Sequence, residues 1–130
     1  MTEYGYSVEV PDGYDEAVIR ARLAMKAEGF SIITEMHIGG LLGAEAGADR
    51  QYLIMGAWAP AAGQRVVGGD LEVAVHLPCN VVVQETDTTA VVAALDPADE
   101  IAAGDEAALA TAELAREALG RLLQRVSTPL

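Results

Sequence analysis

LEVAVHLPCNVVVQETDTTAVVAAL, residues 71–95, is the stretch that decides the fold. Leu71, Val73, Val75 and Leu77 alternate with Glu72, Ala74 and His76, the period-2 signature of a half-buried strand. Pro78 interrupts it. Proline brings no N–H to a ladder and is confined to strand starts, edges and bulges, so an irregularity is expected beside Cys79. The strand resumes through Val81-Val82-Val83, Asp87-Thr88 supplies a turn, and Thr89 to Leu95 runs back, which predicts a hairpin.

Upstream, Tyr4, Tyr6, Val8 and Val10 alternate with Gly5, Ser7 and Glu9, a first strand closed by Pro11-Asp12-Gly13. Asp12 suits the N-cap of a helix from about Tyr14 to Glu28, with Asp15 and Glu16 complementing its positive end. Tyr14, Ala17, Val18, Ala21, Ala24 and Met25 form its apolar stripe, opposite Asp15, Arg22 and Lys26. Gly29 fits the left-handed position after the helix. Strands are predicted over Phe30 to Ile38 and Gln51 to Ala59, the second closed by Pro60. The glycines of Gly39 to Gly47 lack the spacing of a dinucleotide or phosphate loop and read as a connector. Downstream, a helix from about Asp105 to Val126 presents Ala108, Ala112, Ala115, Leu119, Leu122 and Val126 on one face. Glu117 and Arg121 form an i, i+4 pair on it.

The order strand, helix, several strands, helix predicts an α+β domain spanning residues 1–130. Its expected architecture is a single antiparallel or mixed sheet of about five strands, backed by two main helices.

Composition bounds what such a domain does. Hydrophobic residues make up 52% of 130 residues, enough for a packed core and too many for an acidic disordered tail. The net charge of −12, with eight Lys and Arg, argues against nucleic acid and anionic membranes, whose binding relies on cationic side chains displacing counterions from phosphate. It serves solubility and leaves room for a basic partner or a cation. A single cysteine excludes an internal disulfide and fits a reducing cytoplasm. Met1-Thr2-Glu3-Tyr4 resembles no signal peptide, and no apolar run approaches the roughly 18–20 residues that span a bilayer.

Four landmarks then fall in a familiar order. They are the helix running into Glu28-Gly29-Phe30, the strand closed by Ala59-Pro60, the segment Leu77-Pro78-Cys79-Asn80-Val81-Val82-Val83, and Leu95-Asp96-Pro97. From about Tyr4 to Val126 the chain resembles the bacterial and archaeal family called domain of unknown function 302. The resemblance implies a small α+β fold, one sheet backed by helices, and a homodimer; it implies no mechanism. His76 departs from the pattern, standing where an aliphatic residue is expected, and so does the acidic stretch from Pro97 to Glu106.

Cys79 carries the sharpest chemical hypothesis. Free N–H groups at a strand irregularity would favour the thiolate, the nucleophilic and metal-binding form, and Asn80 could assist by hydrogen bonding. The competing reading is a small buried hydrophobe. His76 and Cys79 form H-x-x-C, and converge on one face only if Pro78 distorts the strand. With His37 they are weak candidates for a three-ligand soft-metal site. A Cys–His nucleophilic pair meets the same geometric requirement and lacks an identifiable oxyanion hole. Asp96, Asp99, Glu100, Asp105 and Glu106 lack the calcium-loop pattern and suit a solvated helix start. Trp58 reads as core or dimer interface.

The expectation is therefore a cytoplasmic, homodimeric small-ligand-binding or accessory domain rather than an enzyme. Its ligand site centres on Cys79, Asn80 and His76, and no cofactor is identified. One alternative is a thiol-dependent redox or metal-handling protein using Cys79. The other is a structural or interaction protein in which Cys79 is inert.

Overall fold

The computed structural model describes residues 6–38, 51–60, 68–69, 79–94 and 106–129. The Gly39–Gly47 connector, the strand half from Leu71 to Leu77 with His76, and Pro78 lie outside these residues. So do Asp96, Asp99, Glu100 and Asp105.

Strand β1 (Tyr6–Val10) leads into helix α1 (Tyr14–Ala27), followed by β2 (Ser31–His37), β3 (Tyr52–Trp58), β4 (Cys79–Thr86) and β5 (Thr89–Ala94); helix α2 (Glu106–Val126) closes the chain. The five strands form one sheet in the order β1-β5-β4-β3-β2, and every pairing is antiparallel. Strands β2 to β5 are a meander. Because β1 joins beyond β5, α1 carries the chain from one edge of the sheet to the other.

Alternation does the sorting. Leu53, Met55 and Ala57 on β3, Cys79, Val81 and Val83 on β4, and Ala90, Val92 and Ala94 on β5 all point to one face and are buried there. Both helices pack on that face, α1 with its predicted stripe and α2 with Ala115, Leu119, Leu122 and Val126. Each fully buried Val, Leu or Met contributes about 1.5–3 kcal/mol by leaving water, so this layer dominates stability.

The predicted hairpin forms, in register from Val81↔Ala94 to Thr86↔Thr89. Asp87 takes a left-handed φ of 39° at its turn, a conformation an aspartate tolerates better than most residues. Gly29 follows α1 with φ 77°; its N–H reaches the Lys26 carbonyl while the Phe30 N–H reaches that of Met25. These two bonds make a Schellman ending and turn the chain into β2. A side chain at Gly29 would also crowd Pro60, since a Cβ there would stand 3.0 Å from Pro60 Cγ. Two of the sequence landmarks thus touch.

Asp12 does not cap α1. The N-cap is Gly13, without a side-chain cap bond, and the Asp12 carboxylate pairs with Arg20 instead. Arg20 is only 4% exposed. Its guanidinium also donates to Glu16 and, at 3.3 Å, to the Val126 carbonyl at the end of α2. A buried charge needs such pairing, and the partners here tie the start of α1 to the end of α2.

Candidate functional site

Strand β4 sends adjacent residues to opposite sides of the sheet. Cys79 lies opposite Ala57 on the helix face and is 1% exposed; Asn80 lies opposite Gly56 on the outer face and is exposed. The two landmark residues therefore occupy different environments.

Around Cys79 the surroundings are core. Ala57, Val81 and Ala59 are buried with it, and Cys79 is a regular member of the β3–β4 ladder. His37 shares the helix face but stands at the opposite end, opposite Leu53 on exposed β2. The ladders Cys79–Ala57–Ile32 and Val83–Leu53–His37 are separated by four residues along β4, and β3 lies between the outer strands. That puts His37 and Cys79 about 16 Å apart at Cα, too far to share an ion with ligand bonds of about 2.0–2.3 Å. Among the described residues no group of three His, Cys, Asp or Glu side chains converges on a metal position. Glu106 sits exposed in the first turn of α2.

The outer face is unusual for an antiparallel sheet. Such a face is normally polar when the other carries the core. Here the row Met36–Ile54–Val82–Ala93 runs apolar across four strands before ending at Ser7. The next row, Thr34–Gly56–Asn80, breaks that surface with polar groups. Gly56 has no side chain, and the Thr34 hydroxyl leans into the space a Cβ would take, 2.7 Å from that position, with Asn80 Oδ1 at 3.8 Å. Trp58, two residues further on the same face, is half-buried; its Nε1 is shielded from solvent and has no hydrogen-bond partner among the described residues. A hydroxyl and an amide beside an apolar row are suited to gripping a small molecule with one polar end. Sequence reading named Asn80 but missed Thr34 and Gly56. A glycine inside a strand marks a close approach, which was the available signal.

The charged groups lie mostly in the helix layer. Glu28, at the end of α1, receives N–H bonds of 2.6 Å from both Arg121 and Arg125 of α2. Hydrogen bonds from these two guanidinium groups hold its carboxyl below the usual glutamate range. Beside them, a shallow cleft of about 430 Å³ is lined by Arg20, Leu23, Ala24, Ala27, Arg125, Thr128 and Pro129. Its arginines already face Asp12, Glu16 and Glu28, so the cleft offers little attraction to an anion. Tyr14, at the start of α1, is pushed above the ordinary tyrosine range, first by burial and then by the charge of Glu85. Its buried hydroxyl has no partner among the described residues.

Residues 6–126 match the family described as Domain of unknown function DUF302. The chain belongs to this family. The crystal structure of an uncharacterized conserved DUF302 protein from Bacillus stearothermophilus is similar over 95% of this chain and 98% of its own. Its TM-score is 0.76 and its sequence identity 26%. No curated protein matches. The landmarks have structural roles in this fold: Glu28 joins the helices, Gly29 meets Pro60, and Phe30, Ala59 and Cys79 fill the core. Among the described residues no helix is long and apolar enough to cross a membrane.

Proposed function

We propose that this DUF302 domain is a homodimeric small-ligand-binding or accessory module of the cytoplasm, with Asn80 at its ligand surface and no catalytic role. One observation carries the reading: an apolar outer sheet face interrupted by the converging Thr34, Gly56 and Asn80, with the half-buried Trp58 beside them. The ligand class is a small, largely apolar molecule bearing one hydrogen-bonding group. Cys79 supports that surface from behind, as packing. The single cysteine and the net charge of −12 favour a reducing compartment and disfavour nucleic acid and anionic membrane.

The test is amide and indole NMR with a fragment library of apolar molecules carrying one carbonyl or hydroxyl. Shifts that cluster on Thr34, Asn80 and the Trp58 indole, and vanish in Asn80→Ala, support the reading. Binding confined to the helix side overturns it.

The burial of Cys79 favours, as the second reading, an interaction protein in which the thiol is inert. The redox or metal-handling alternative, in which His76 or His37 assists Cys79, requires the buried thiol to become accessible. Alkylation of the native protein against Cys79→Ser, with and without copper, zinc or haem, distinguishes these readings. A protected thiol with no bound metal or haem excludes the redox and metal alternative.

A further inference from the structure

Strand β2 ends the sheet, and all seven of its residues are exposed, Ile33 at 52% and Met36 at 59%. A long exposed edge with apolar side chains is a template for pairing with another strand. Its register irregularity lies between Ile32 and Thr34, which leaves Thr34 to Ile38 as the regular part of the edge.

The backbone fixes which residues can pair outward. The Ile38 N–H donates to the Tyr52 carbonyl at 3.0 Å, so by alternation Thr34, Met36 and Ile38 turn their backbone groups toward β3. Glu35 and His37 turn theirs away from β3, to an edge that no other described strand pairs. A second copy related by a two-fold axis must therefore pair outward-facing residues with outward-facing residues. A register centred on Glu35 would oppose two carboxylates, which is destabilising in a cross-strand pair. A register centred on Met36 instead sets Glu35 opposite the partner's His37, twice, on the helix face. An imidazole N–H can donate to the carboxylate there, which also accepts both Arg22 N–H bonds at 3.0 and 3.1 Å. On the outer face Met36 meets its own copy, and Thr34 lies opposite the partner's Ile38.

We infer that two copies of this chain join β2 to β2 in that register, giving one ten-stranded antiparallel sheet. The inference rests on the dimeric part of the proposed function and assigns it an interface. It also runs the apolar row of the outer face unbroken from one protomer into the other, through Met36.

Cysteine cross-linking of the full chain tests the register, because Met36 is exposed and its replacement does not threaten folding. In a non-hydrogen-bonded antiparallel pair the two Met36 Cα atoms would stand about 4.5 Å apart, within disulfide reach. His37 would stand two residues out of register from its own copy, about 8 Å away and beyond that reach. Light scattering should show a dimer, and mild oxidation should cross-link Met36→Cys about tenfold faster than His37→Cys or the unmodified chain. Glu35→Lys, which places a cation opposite each partner His37, should weaken the dimer roughly tenfold. A dimer in which Met36→Cys cross-links no faster than His37→Cys overturns this interface while leaving the dimer standing. A monomer overturns both. An unchanged dimer affinity in Glu35→Lys also contradicts the register.

Discussion

The two faces of one sheet have been given different work, and Cys79 and Asn80 show the division at neighbouring positions. One backbone step separates a thiol sealed among Ala57, Val81 and the helices from an amide standing in the open beside Thr34. On the helix face almost every position is filled with apolar atoms, and the charged groups at its margins, Arg20 and Glu28, are paired. On the outer face the apolar residues range from half-buried to exposed, and Thr34 and Asn80 sit beside them. Where a site lies is therefore decided by strand parity as much as by residue type.

The comparison can be broken most forcefully at two neighbouring positions of β3. Met55→Ala empties a fully buried position and should cost about 2–5 kcal/mol in urea unfolding, whereas Ile54→Ala on the outer face should cost clearly less, about 1 kcal/mol. Equal losses would mean that the outer face is buried as deeply as the helix face. Cys79→Ser puts a hydroxyl into the core and should destabilise by about 1–3 kcal/mol. Asn80→Ala should stay within about 0.5 kcal/mol of the parent while removing ligand-induced NMR shifts.

Glu28→Gln probes how the helices are held on their face. The Glu28 carboxyl is held below its unfolded range by Arg121 and Arg125, so its contribution is fully present above the unfolded pKa. That contribution is lost as pH falls through the lower folded pKa. The substitution should lower stability at neutral pH by less than Met55→Ala does. Its difference from the parent should shrink in acid, followed by thermal unfolding across a pH series. The smallest effect belongs to Tyr14→Phe, which removes a buried hydroxyl without a described partner and should leave stability unchanged or slightly raised.

Much of the frame was legible in the residues themselves. The 3-4 stripe of α1, the glycine ending at Gly29, the hairpin around Asp87 and the apolar face of α2 depend on local spacing, and each forms where that spacing predicts. Asp12 misled because its best partner is tertiary. Arg20 is buried and donates to the Val126 carbonyl, 106 residues away, and its guanidinium also holds the Asp12 carboxylate. Thr34, Gly56 and Asn80 belong to three strands, and their row depends on a register that shifts between Ile32 and Thr34. No single-strand pattern contains that shift. The separation of His37 from Cys79 was hidden for the same reason.

The division between faces is tested most directly by the reactivity of Cys79 toward a small aromatic disulfide, measured on the native protein and in denaturant. The thiol should be strongly protected in the native state, react at the ordinary rate once unfolded, and follow the unfolding equilibrium between the two. Reaction of the native protein at the unfolded rate would put Cys79 in a site and contradict the assignment of the helix face to packing alone.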